Sequence, residues 1–246
     1  MRHVINNPKK EKHMLTFYSD PAKKQARIER HRQHAEQDRL IAGRYQDGKS
    51  NRGCSVGCDA IDITGKADSN CHGIVAFHDG LPEWLEHLRD IIFEGLPYKE
   101  RKAWHVDLTE AIPVGVDIEK VRHQLADWIL SPDGPMLDTV SHPIVANAIA
   151  QVRKYHQDMV SGTSDSESAR AAARLTATFA MADSSRSEGA SVRLAAASAA
   201  ASVVESAAVS VTESVRLAAN SAIDSGRLKA FSSIASTVID LLKKVS

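Results

Sequence analysis

The chain has 246 residues with 31 basic and 31 acidic side chains, so no net charge steers it toward nucleic acid or an anionic membrane. No run of eighteen apolar residues occurs, so no membrane span is expected, and the polar N-terminus lacks the apolar stretch of a secretory signal. Three cysteines, an odd number, argue against a disulfide framework and for a reduced, cytoplasmic setting.

Residues 1–13, "MRHVINNPKKEKH", read as a disordered basic leader before a second methionine, Met14, that can serve as the start. The other reading of this leader is a short basic arm touching nucleic acid. Asp20 and Pro21 suit the cap and first position of a helix that runs to Gly43. Its charge is dense and its apolar stripe narrow, limited to Ala22, Ala26, Ala35, Leu40 and Ile41. A short helix is expected in "CSVGCDAIDI" and a loop in "TGKADSNCHG"; "HGIVAF" is the best strand candidate, with nothing obvious to pair with.

Four amphipathic helices follow. Leu81, Trp84, Leu85, Leu88, Ile91 and Ile92 recur at helical spacing between Pro82 and Gly95. Trp104, Leu108 and Ile112 mark the next. Ile118, Val121, Leu125, Trp128 and Ile129 mark a third, capped by Asp117 and stopped by Pro132. The last starts at Ser141 and Pro143 and turns Val145, Ile149, Val152 and Met159 inward. Short connections between apolar stripes describe a helical bundle over residues 14–160.

Residues 161–168, around Gly162, form a linker. Residues 169–246 then become rich in alanine and serine, with serines at 191, 198, 202, 206, 210, 214, 221 and 225. The mean step of about 3.8 residues exceeds the roughly 3.6 of a straight helix, which favours a right-handed supercoil. Gly189 and Gly226 are expected breaks. The terminal segment places Leu228, Phe231, Ala235, Val238, Leu242 and Val245 on an a/d seam, followed by Lys243 and Lys244 at the helix end. That seam suits self-association, a protein partner, or packing against the chain's own helices. The fold expectation is therefore all-α: a compact helical domain followed by an Ala/Ser-rich, coiled-coil-like tail.

For chemistry, "GCSVGC" repeats glycine and cysteine at a four-residue spacing. One reading is a zinc cage of Cys54, Cys58, Cys71 and His72, with His78 nearby, because zinc takes four sulfur or nitrogen ligands in closely spaced pairs. A nucleophilic thiol at a helix start is a second reading. The preferred one is packing, with Gly53 and Gly57 forming a smooth seam under a bulky helix and no cofactor bound. His31, His34 and Asp38 share a helix face and are expected to make solvated polar contacts. The three tryptophans lie on apolar stripes, which suits core rather than base stacking. No P-loop, GxGxxG, HExxH or GxSxG pattern occurs, so no catalytic residue is assigned.

The segments "LTFYSDP", "GCSVGC", "LPEWLEHLRDIIFEGLP" and "AIPVGVD", with the Ala/Ser tail, resemble a group of uncharacterised phage and prophage proteins. The resemblance covers most of the chain from Met14 and implies an origin and a start site but no reaction. Together these readings lead to a non-enzymatic phage accessory protein acting through protein partners or self-association. The alternatives are a thiol- or zinc-dependent protein using Cys54 and Cys58, and a nucleic-acid binder using the basic stretch from Lys23 to Arg44.

Overall fold

The first helix starts where its caps demand it. Asp20 Oδ1 accepts the Ala22 amide at 2.8 Å, and Pro21 takes the first position, where no donor is needed. The computed structural model describes residues 14–135, 143–163, 169–171, 173–175, 177–178, 197, 207–221 and 224–245. Helices α1 (Pro21–Glu36), α2 (Ser55–Thr64), α3 (Cys71–Asp79), α4 (Glu83–Gly95), α5 (Tyr98–Ala111), α6 (Glu119–Ile129) and α7 (Pro143–Ser161) follow in order. A 3-10 turn, Thr16–Ser19, precedes them, and two C-terminal helices, α8 (Ala207–Ser221) and α9 (Asp224–Lys244), come last. The all-α expectation holds. Among the described residues there is no strand, and a single parallel bridge joins Leu40 to Gly53. No described helix is long and apolar enough to cross a membrane.

Several boundaries differ from the sequence expectation. α1 stops at Glu36 rather than Gly43, because Asp38 adopts a left-handed φ of 54°. The following backbone then pairs with the turn before α2, Ile41 N donating to Gly53 O and Gly53 N to Arg39 O. "HGIVAF" is helix, not strand: Val75 and Ala76 are buried on one face of α3, and Gly80 closes it at φ 69°. Gly226 lies inside α9 instead of breaking it. The leader, Ser141, Gly189 and the serine repeat from 191 to 206 lie outside the described residues.

At the C-terminus, the seam has one of the occupants that the sequence allowed. The apolar seam of α9 is occupied by the chain's own helices α4, α5 and α6. Phe231, Ala235, Val238 and Leu242 are buried there, along with Ile234. Leu228 is 51% exposed, and Val245 is only partly buried. Gly95, the last residue of α4, makes room for Phe231: a Cβ there would sit 2.3 Å from the Phe231 ring. Trp104 Nε1 donates to Ala235 O at 3.2 Å, tying α5 to α9. Burial of Phe231, Ile234, Val238 and Leu242 contributes roughly 1.5–3 kcal/mol each before the entropy of ordering them is subtracted. α9 is therefore part of the core. On α8, Ser214, Val215, Ala218 and Ala219 are buried on one face, and this helix packs on α4 and α6. Their small side chains let the backbones approach closely.

Candidate functional site

The "GCSVGC" residues divide between packing and a cavity. Ideal Cβ atoms on Gly53 and Gly57 would lie 2.0 and 1.9 Å from the Tyr45 carbonyl oxygen, so only glycine fits beneath this loop. The neighbour on that row is the Tyr45 backbone, where the sequence suggested a bulky helix. Cys58 points inward, and its thiol donates to Arg39 O at 3.5 Å and Gly53 O at 3.4 Å. Cys71 is buried at the start of α3. His72 Nε2 lies 3.2 Å from Asp90 Oδ2, and its ring stacks on His87 at 3.9 Å between centroids. The four-ligand cage of Cys54, Cys58, Cys71 and His72 is not assembled: among the described residues, the group with converging ligand atoms omits the last three.

Cys54 goes elsewhere. It caps α2, with its sulfur accepting the Gly57 amide at 3.4 Å, and it lines a cavity of about 350 Å³. Gly43, Arg44, Tyr45, Asp90 and Glu94 complete the lining. Ligand atoms of Cys54, Asp90 and Glu94 all fall within 4.8 Å of one another. Asp90 and Glu94 sit one turn apart on α4, so they share a face, and Glu94 Oε2 accepts the Gly43 amide at 2.7 Å. Burial, with Asp90 adding, pushes the Cys54 thiol well above its ordinary range. The Glu94 carboxyl is raised by burial, opposed by the Gly43 amide and reinforced by Asp90. The Tyr45 hydroxyl is pushed up to about 12, chiefly by burial and then by Asp90. Sequence reading missed Asp90 and Glu94 because they belong to the polar positions of a strongly apolar helix. Their i, i+4 spacing was the available signal.

Beside these carboxylates, Glu86 and Arg89 of α4 are fully buried and enter a second polar cluster. Arg27 bonds Asp79 at 2.5 Å and Glu86 at 2.8 Å; Arg30 bonds Asp59 and Asp79, both at 2.6 Å. Arg89 reaches Asp59 at 2.7 Å and Glu86 at 2.6 Å. Three guanidinium groups thus face three carboxylates, and the charges cancel. His31 Nε2 lies 3.0 Å from Asp59 Oδ2, and its Nδ1 lies 2.9 Å from the Thr109 hydroxyl. Arg89 Nη1 also lies 3.2 Å from Nε2, and the His105 carbonyl lies 3.1 Å from Nδ1. The His31 ring stacks on His105 at 3.8 Å. His34 Nε2 lies 2.7 Å from Asp62, which also takes Arg39.

This arrangement explains the weak apolar stripe of α1. Its buried residues are Arg27, Ile28, His31 and His34, a helical face that is mostly polar. His31 and His34 therefore make buried contacts rather than the solvated ones expected, and Asp38 pairs with Lys102 at 2.7 Å. The basic stretch read as a nucleic-acid surface is largely consumed as well. Arg27, Arg30 and Arg39 are tied to carboxylates, Lys23 and Lys24 donate to the carbonyls of His78 and Glu110, and Arg32 pairs with Glu110.

A third feature is on the surface. Phe17, Tyr18 and Ser19 all adopt left-handed φ, between 53° and 62°. Thr16 anchors the turn: its hydroxyl donates to Pro113 O at 2.5 Å, and its amide donates to Val116 O at 3.1 Å. Phe17 is buried, while Tyr18 is 45% exposed and donates through its hydroxyl to Phe77 O at 2.6 Å. Phe77 is 76% exposed, and Ile74, one turn earlier on α3, is exposed as well. The Lys23 ammonium lies 5.5 Å from the Tyr18 ring centroid.

The chain matches no protein-family model, no curated protein and no solved structure.

Proposed function

We propose that the chain is a non-enzymatic accessory protein, of phage or prophage origin, that acts by binding another protein through the Tyr18–Ile74–Phe77 surface. The observation that carries this reading is the left-handed turn. Holding a bulky L-residue in this conformation costs about 1–3 kcal/mol, and such strain gathers at binding segments. Here the strained turn fixes an exposed tyrosine beside an exposed phenylalanine, the residue type that anchors interfaces. The occupant is a partner segment that is apolar with an acidic flank. Lys23 lies over Tyr18 and has no carboxylate partner among the described residues, which supplies the complementary charge. The resemblance carried by "LTFYSDP" supports the phage assignment, since this turn lies within that segment. With the α9 seam buried internally, the binding surface moves from the C-terminus to this end of the molecule.

A photo-crosslinking residue at position 77 in the producing cell captures the partner, and titration with that purified partner measures its affinity. Phe77→Ser is expected to weaken binding tenfold or more, about 1.4 kcal/mol, with helicity unchanged. Lys23→Glu is expected to weaken it further. Equal affinity in the wild type and both variants overturns the reading. So does a Phe77-dependent dimer in sedimentation, which would make a second copy the occupant.

A further inference from the structure

We propose that α1 is an acid-released strap, which leaves the face formed by α2, α3, α4 and α5 as one unit at mildly acidic pH while the remaining helices stay packed. Charge holds it there more than apolar burial does. The buried residues of α1 are Arg27, Ile28, His31 and His34, so the helix gives the core one large apolar side chain. By contrast, α4 buries Trp84, Leu85, Leu88, Ile92 and Phe93. Elements with few buried apolar contacts open first. Returning charges to water also recovers their hydration, which lowers the cost of opening. The two ends of the strap are held separately: Phe17 is buried ahead of it, and Ile41 N donates to Gly53 O behind it.

Every element beneath α1 meets it with charged or titratable groups. From α2, Asp59 takes Arg30 and His31, and Asp62 takes His34 together with Arg39. From α3, Asp79 takes Arg27 and Arg30, and His78 lies 2.7 Å from the same carboxylate. From α4, Glu86 takes Arg27, and Arg89 Nη1 lies 3.2 Å from His31 Nε2. From α5 come the Thr109 hydroxyl on His31, Glu110 on Arg32 at the exposed edge, and His105. The His105 ring stacks on His31 at 3.8 Å, and its Nε2 lies 3.4 Å from His34 Nδ1. His105 Nδ1 is buried with no hydrogen-bond partner, a cost that water removes once α1 leaves.

Two kinds of group set the direction. Burial pushes the His31 imidazole down to about 3, against Asp59 and aided by Arg27 and Arg89, and it holds His105 well below its ordinary value. Closed, both rings stay neutral; released into water, each takes up a proton below about 6.5. The closed state is therefore at full strength above that pH and weakens as pH falls toward about 3. The carboxyls act in the same direction. Burial opposes their ionisation, but Arg30 and Arg89 hold Asp59, and Arg27 and Arg30 hold Asp79, below the usual range, and this support is lost below about pH 4. Between pH 7 and pH 5 each ring multiplies the opening equilibrium by about 25, so the two together multiply it by about 600.

The test is amide hydrogen exchange of the free full chain at pH 7 and pH 5, each rate divided by the intrinsic rate at that pH. Amides of α1 are expected to be less protected than those of α4 at both pH values, and their protection is expected to fall about 600-fold between the two. His105→Gln, which cannot take up the second proton, is expected to cut that fall to about 25-fold. Equal protection of α1 and α4 at both pH values overturns the strap, because α1 then opens only with the whole bundle. So does a fall of less than about fivefold, or the full fall retained in His105→Gln. If His105→Gln does not fold, the wild-type comparison decides the matter. The chain is measured free of any partner, so failure of the strap leaves the protein-binding reading intact.

Discussion

Asp59→Asn tests whether the buried ionic cluster is a closed charge set. Asp59 is fully buried and receives Arg30 at 2.6 Å, Arg89 at 2.7 Å and His31 at 3.0 Å. Burial opposes its ionisation, but Arg30, His31 and Arg89 outweigh burial and hold its carboxyl well below the usual range. In the variant, three buried guanidinium groups face two carboxylates, and one amide N–H₂ points at a cation. Each lost contact near 2.7 Å is worth about 6 kcal/mol at an effective dielectric constant of about 20. Leaving a carboxylate in water recovers several kcal/mol of desolvation. The net loss is about 3–5 kcal/mol, a large share of the stability of a domain this size. Urea unfolding followed by circular dichroism measures it. Adding Arg89→Met, which restores neutrality, is expected to recover about 1–3 kcal/mol relative to additivity. A loss under about 1 kcal/mol, or strict additivity of the two changes, refutes the closed-set argument.

Two other expectations follow from the core. Phe231→Ala is expected to cost about 3–5 kcal/mol, whereas Leu228→Ala, at a half-exposed seam position, costs under about 0.5 kcal/mol. Equal effects in urea titrations would mean that α9 does not dock on α4 and α5. Acid sensitivity comes from the buried histidines. Burial pushes His31 and His123 down to about 3, and His105 and His156 well below 6.5, with Arg27 and Arg89 acting on His31 and Arg122 on His123. The native state keeps these rings neutral while the unfolded chain takes up protons below about 6.5. Their stability contribution is therefore complete above that pH and falls as pH drops toward about 3, by up to about 1.4 kcal/mol per pH unit for each ring. Unfolding at pH 5 should take up about four protons through these rings. An uptake below one would contradict their burial.

The sequence alone determined the helical class and most of its stripes. Leu85, Leu88 and Ile92, Val121 and Leu125, and Val145 and Val152 announce their buried faces by spacing, because burial of an apolar face is a local pattern on a 3.6-residue period. The cap at Asp20 and Pro21 is equally local. What the tertiary structure decided is where pairing across the chain sets the outcome. α1 was legible as charged but not as buried, since Arg27 and His31 become core residues only when Asp59, Asp79 and Glu86 arrive from α2, α3 and α4. The seam of α9 was legible, but its occupant was not, because Phe231 finds its place only against Gly95, far away in the chain. The same holds for Cys54. Its spacing to Cys58 suggested a pair, yet the fold turns Cys58 toward backbone carbonyls and gives Cys54 the carboxylates of Asp90 and Glu94. Periodicity records which face is covered; only the assembled bundle specifies which group covers it.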